Sequence, residues 1–254
     1  MLIKQTKAKE GYVWIRQGFW LFKQNPFTFL MLVFLYIFVM QLSMFIPILG
    51  LLVMMVLTPA FSVGFMAACQ SVIRKERVTP AIYLVALRNL GPTVRKNILK
   101  LGGLYTLLLF ILSLVAMQFV DYEKIIPIIL ESKTSNTSVV KELYLAIIVS
   151  CVLYLPIAMM MWFAPLLVSW QNMTVFKALF GSWMACWLNR GAFIVYASIW
   201  AILLVALPLF IGAAFEFLGY AQYASYLVTP FSMGAITILY CSYFATWKAC
   251  LEEN

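Results

Sequence analysis

Residues 14–40 read WIRQGFWLFKQNPFTFLMLVFLYIFVM, a segment mixing Arg16, Gln17, Lys23 and Gln24 with aromatics that stops at Asn25-Pro26 and turns wholly apolar. On a helical wheel Lys9, Arg16 and Lys23 fall on one line, with Glu10, Gln17 and Gln24 beside them. Tyr12, Trp14, Ile15, Phe19, Leu21 and Phe22 occupy the rest, and Val13 and Trp20 interrupt the polar stripe. The pattern predicts an in-plane interfacial helix, its aromatics in the headgroup boundary and Lys9, Arg16 and Lys23 facing headgroups and water. Asn tolerates the left-handed conformation that ends helices and Pro cannot continue one, so the chain is expected to turn into the bilayer at Asn25-Pro26.

Composition agrees. The chain is 65% hydrophobic and 11% charged, whereas soluble domains carry about 25% charged residues, so this is an integral membrane protein. A cleaved signal peptide would place a small-residue site after a short apolar core. Here the first apolar run is long and leads straight into another, so the N-terminus is expected to stay on the mature protein.

Runs of about 20 apolar residues, the length that crosses ~30 Å of hydrocarbon, lie at roughly 26–46, 50–73, 98–120, 143–170, 191–214 and 222–247. With six spans the termini share a side, and that side collects all of the 18 Lys and Arg residues except Lys124, Lys133 and Lys141. Cytoplasmic loops carry the Lys/Arg excess, so both termini are expected in the cytoplasm. The net charge of +9 then forms a basic collar toward anionic lipid headgroups. No nucleic-acid motif accompanies it, so nucleic acid is not expected as a partner.

The seam at Asn25-Pro26 recurs in ALRNLGPTVRKNIL (86–99) and CWLNRGAFIVY (186–196). Thr79-Pro80 reads as the start of a second surface helix reaching Arg88-Asn89, and a third runs from near Thr174 to Leu188-Asn189. The predicted fold is therefore an all-α integral membrane protein forming one transmembrane domain over 1–254. Six transmembrane helices and three in-plane interfacial helices would form a pseudo-threefold repeat of surface helix plus helical hairpin. The repeats span about 8–73, 79–170 and 174–247. The second and third surface helices are more apolar than the first, which predicts partial burial.

The inward spans share internal proline: Pro59 in LTPAFSVGF, Pro156 and Pro165 in the fourth span, and Pro230 in LVTPFSMGA. Proline removes a backbone hydrogen bond and kinks the helix, so these residues either open a shared centre or shape packing. Gly64, with Ala60 and Ala68 on the same stripe, would admit another helix closely.

Chemistry-bearing patterns are missing. The chain has no His and its 5 Cys lack CxxC spacing, so neither a metal site nor a catalytic residue nor a cofactor site is expected. The Cys read as small apolar fillers. Span interiors carry no charge, unlike those of ion-coupled carriers, and Glu216 reads as an interfacial carboxylate at the outer end of the fifth span. Residues 121–142 form the one sizeable external loop, with a flexible KTSNTS centre and a short helix expected within it.

YVWIRQGFWLF (12–22), VLYLPIAMMMWFAPLLVSWQ (152–171) and KALFGSWMACWLNRGAFIVY (177–196) together resemble an uncharacterised family of multi-pass inner-membrane proteins of betaproteobacteria and their relatives. The resemblance covers nearly the whole chain and implies a bacterial inner membrane, but it brings no catalytic residue. The repeated plan is also similar to the membrane domains attached to some bacterial glycerophosphodiester phosphodiesterases, which carries no activity over. Two functions follow as expectations. One is a non-catalytic partner or scaffold for a membrane-protein complex of the envelope, the preferred reading. The other is a passive conduit for lipid or another amphiphile.

Overall fold

The computed structural model describes residues 3–119 and 137–251, and every regular element among them is a helix. The order is α1 (Glu10–Gln24), α2 (Pro26–Ser43), α3 (Leu49–Ile73), α4 (Ile82–Arg88), α5 (Pro92–Met117), α6 (Thr137–Trp170), α7 (Val175–Leu188), α8 (Arg190–Ala201), α9 (Leu207–Phe217) and α10 (Ala224–Leu251). A π-helical turn, Ile202–Ala206, joins α8 and α9 into one span. Pro208 explains it, since a residue without an N–H breaks the regular ladder just beyond. Six helices are long and apolar enough to cross a membrane, as the hydropathy runs require.

Local punctuation sets most boundaries. Pro26 and Pro92 stand at the first turns of α2 and α5, where the missing N–H costs nothing. Pro92 starts α5 earlier than the apolar run alone suggests, and its first three turns carry Arg95, Lys96 and Lys100. Thr174 and Asn189 bound α7 as the sequence pattern implies. Asn25 differs from expectation: its φ of −155° is not left-handed, and its Oδ1 accepts from Thr28 N–H at 3.4 Å. It both closes α1, its N–H donating to Phe22 C=O at 3.2 Å, and caps the start of α2, so the break falls at Asn25-Pro26 as expected. The second short helix begins at Ile82, not at Thr79-Pro80, because a turn closed by Ile82 N–H donating to Thr79 C=O occupies 79–81. Most of the loop expected at 121–142 lies outside the described residues, and from Thr137 onward the chain is already helical.

The core lies at one end of the bundle. Buried side chains crowd the last halves of α3 (Ala60, Val63, Met66, Cys69), α6 (Phe163, Leu166, Leu167) and α10 (Cys241, Phe244, Trp247). The opposite end exposes Phe45, Ile48, Val152, Phe210, Phe217 and Tyr226. Lipid tails are as apolar as Leu, so these surfaces are satisfied by the bilayer and need no protein partner.

The short helices pack in a regular way. Each leans on a span that ends at the buried end: α4 on α3, α7 on α6, and α1 on α10. Gly64 receives Tyr83 of α4, and a Cβ there would collide with the Tyr83 ring. Ser182 of α7, fully buried, accepts from Phe163 N–H at 2.9 Å and donates to Met159 C=O at 2.6 Å. It thereby bridges two groups that a regular helix would join directly, and so loosens α6 just before Pro165.

For α1 the outcome revises the helical-wheel reading. Gly11, Trp14, Ile15, Gly18 and Leu21 form a buried stripe against α8 and α10. Trp14, Ile15 and Leu21 are therefore spent on protein rather than on headgroups. An apolar stripe serves either solvent, and Gly11 with Gly18, seven residues apart, was the signal that a backbone comes close on that side.

Candidate functional site

A cavity of about 300 Å³ opens within the bundle. Its wall draws on α2 (Val33, Tyr36), α3 (Thr58 to Phe65), α4 (Tyr83), α5 (Tyr105), α6 (Tyr154 to Pro165) and α10 (Leu239, Tyr240, Tyr243). Among the described residues six tyrosines line it and no charged residue does. Helical rise places Tyr36 and Tyr154 each about 15 Å into its span, near the middle of a ~30 Å hydrocarbon layer, and Tyr105 about 8 Å past Lys100, so the cavity runs from the middle toward the α4 side. Tyr154 is 40% exposed and stands at the mouth, whereas Tyr243 is buried.

The phenols fall into two sets. Tyr83 donates to Leu32 C=O at 3.1 Å, and burial keeps its phenol well above the usual range, hence neutral. Tyr243 donates to Trp162 C=O. These two are structural. Tyr36, Tyr105, Tyr154 and Tyr240 instead line the cavity from four different helices, and none of them donates to a backbone carbonyl. Their rings sit in an aromatic wall: Tyr36 against Phe61 and Phe61 against Tyr83, each at 5.2 Å, and Phe65 against Tyr240 at 5.3 Å.

Two of the predicted prolines belong here. Pro59 and Pro165 line the cavity and are buried. Pro165 has no N–H for Met161 C=O, so that lining residue keeps a carbonyl without its helical partner. Pro156 is half-buried and Pro230 exposed, and neither reaches the cavity. Of the four inward-span prolines, Pro59 and Pro165 are thus the two that share the cavity. α10 contributes its tyrosines instead, from well beyond its proline. The tyrosines themselves went unnoticed in the sequence, where the only available signal was their placement at mid-span rather than at the interfacial belts that tyrosine usually occupies.

The remaining predicted residues lie elsewhere. Lys9, Arg16 and Lys23 are exposed on α1, away from its buried stripe. Around them α1 exposes Tyr12, Phe19 and Trp20. α7 likewise exposes Phe176, Phe180 and Trp187, with the Arg190 guanidinium 5.3 Å above the Trp187 ring. Of the cysteines, Cys69, Cys186, Cys241 and Cys250 are buried fillers and Cys151 is exposed.

Asn189 is the polar hinge of the buried end. Only 1% exposed, it uses every bonding position of its amide. Its Oδ1 accepts from Thr6 N–H at 2.7 Å and Thr6 Oγ1 at 2.8 Å, while Nδ2 donates to Lys4 C=O at 3.0 Å and Ala185 C=O at 2.9 Å. Lys4 N–H donates in turn to Cys250 C=O at 2.9 Å, so the N-terminal segment is tied to both α7 and α10.

Six candidate spans among the described residues, five of them together with the short helix α4 around an uncharged, tyrosine-lined cavity, define a multi-pass helical membrane protein. The chain belongs to the family of a probable inner membrane protein of Burkholderia thailandensis. The two are 36% identical over 261 residues, covering 98% of this chain and 94% of that protein. No family model matches the chain, and no solved structure does.

Proposed function

We propose that this inner-membrane protein is a non-catalytic binder of a membrane amphiphile, held in the tyrosine-lined cavity and reached from the bilayer past Tyr154. The observation that carries the reading is the cavity itself: reaching mid-bilayer, bounded by six helices, aromatic, and furnished with free phenols. Of the two expected functions it favours the conduit side, since an amphiphile path needs grooves and hydroxyls rather than charges.

Both termini lie in the cytoplasm in this proposal, on the strength of the Lys/Arg distribution. The short helices α1, α4 and α7 then rest at the cytoplasmic boundary, with Lys9, Arg16 and Lys23 toward anionic headgroups. Support comes from the exposed rings of α1 and α7 beside basic residues. The threefold repeat of short helix and hairpin is supported by the cyclic packing of α4 on α3, α7 on α6 and α1 on α10.

The scaffold reading rests on a separate observation, the aromatic rows on α1 and α7, to which a membrane-protein partner would dock. One experiment separates the two. Protein extracted in mild detergent is expected to carry about one amphiphile per chain by native mass spectrometry, and Ala158→Phe, which fills the cavity, is expected to deplete it. A stoichiometric protein partner with no bound amphiphile in either form would turn the assignment to the scaffold.

A further inference from the structure

We infer that the occupant of the cavity is a lipid with an uncharged head that carries carbonyl acceptors, its head bound by the phenols of Tyr36, Tyr105, Tyr154 and Tyr240. This rests on the amphiphile-binding reading above and adds the chemistry of the head.

The first argument is electrostatic. A phosphate or ammonium head brought to the middle of the hydrocarbon layer loses its hydration, and the cavity offers no opposite charge to replace it. Lys9, Arg16 and Lys23, the cations that would suit a phosphate, are exposed on α1 and none of them lines the cavity. Charged phospholipids are therefore held at the rim of the bilayer, whereas lipids with neutral heads are free to occupy its midplane, which the cavity reaches.

The second argument is the hydrogen-bond inventory. Tyr83 and Tyr243 already donate to backbone carbonyls, so they are not available to a ligand. Tyr36 and Tyr240 make no hydrogen bond to protein, and neither hydroxyl is a fully buried orphan, so both open toward the cavity. Tyr105 and Tyr154 line the same cavity, Tyr154 on its exposed side. A phenol is a good O–H donor, and a carbonyl in the ligand is the matching acceptor. The tilted rings of Tyr36, Phe61, Tyr83, Phe65 and Tyr240 give this head a flat-sided aromatic lining. A lipid quinone and a diacylglycerol share the required chemistry.

The test uses the full chain in detergent and three probes: a decyl-substituted benzoquinone, dioctanoylglycerol and dioctanoyl phosphatidylglycerol. Ligand-induced rise in Tm reports binding for each. One or both neutral probes are expected to raise Tm with the wild type and to fail with Ala158→Phe, and phosphatidylglycerol is expected neither to do so nor to compete. Tyr36→Phe and Tyr240→Phe keep the ring and remove only an unpartnered hydroxyl, so folding is expected to be unchanged. Each is expected to weaken binding of the neutral probe roughly five- to tenfold, the effect of one neutral hydrogen bond. Whichever of quinone and diacylglycerol binds more tightly names the source. Phosphatidylglycerol binding that is equally tight and equally lost in Ala158→Phe would overturn the uncharged head while leaving an amphiphile site in place. Neutral binding unchanged in both Phe variants would overturn the phenol contacts. Absence of binding by all three probes, with no lipid carried by the purified protein, would sink both this inference and the reading beneath it.

Discussion

Asn189 and Trp14 show two opposite ways of treating a buried polar group. Asn189 has every donor and acceptor of its amide satisfied, so its removal strands Thr6 N–H and Lys4 C=O together. Asn189→Ala is expected to cost roughly 2–3 kcal/mol. Thermal unfolding in detergent reads the loss, and hydrogen exchange at Lys4 and Thr6 is expected to speed up ahead of the helices. Trp14 is fully buried between Phe193 and Tyr196, yet its indole N–H has no partner. Trp14→Ala is expected to lose roughly 3–5 kcal/mol through the cavity it leaves. Trp14→Phe is expected to lose far less, because the smaller ring removes an unpaired donor along with some volume. Equal losses for the two variants would mean that the N–H has a partner after all. From the sequence, Trp14 reads as an interfacial aromatic, since nothing in a one-dimensional pattern tells a lipid neighbour from Phe193.

Helix contacts at the next scale depend on where a side chain is missing. On α5, Gly102 and Gly103 are neighbours in sequence but opposite in role: a Cβ at Gly102 would meet the Val56 carbonyl of α3, while Gly103 faces open space. Gly102→Ala is expected to destabilise by about 1–3 kcal/mol through overpacking, with α3 and α5 forced apart. Gly103→Ala is expected to be neutral or slightly stabilising, since it only gains helix propensity. Thermal unfolding of the pair tests the α3–α5 approach with its own internal control. For α1, the structure separates two functions that the sequence joined in one amphipathic stripe. Its packing face is Gly11, Trp14, Ile15, Gly18 and Leu21, and its charged face is Lys9, Arg16 and Lys23. Replacing the three cations by Gln is therefore expected to leave unfolding in neutral detergent unchanged. It is also expected to remove on the order of 3 kcal/mol of attraction to anionic lipid, measured as the lost stabilisation when anionic lipid is added. Destabilisation in neutral detergent would show that the charged face also packs.

For the whole molecule, the orientation is open to direct test. Cysteines introduced at Ser135 or Asn136 are expected to react with an impermeant reagent from the periplasm, and those at Lys75 or Glu253 only after the membrane is opened. Labelling at position 253 from outside would reverse the arrangement. What the sequence by itself determined is the membrane class, the six spans and the order of short helix and hairpin. These rest on one-dimensional quantities: the length of an apolar run against the thickness of hydrocarbon, and helix punctuation at Asn25-Pro26, Gly91-Pro92 and Asn189. Only the tertiary structure decided that Pro59 and Pro165, of the four inward-span prolines, line the cavity, that α1 spends its apolar stripe on α8 and α10, and that Tyr36, Tyr105, Tyr154 and Tyr240 share one cavity. The bilayer surrounds a span with the same solvent on every side, so hydropathy specifies that a helix crosses without specifying how it is turned about its axis. That rotation is set by close backbone contacts such as Gly18 on Ser242 and Gly102 on Val56, and it is the rotation that brings residues from separate spans to a common site.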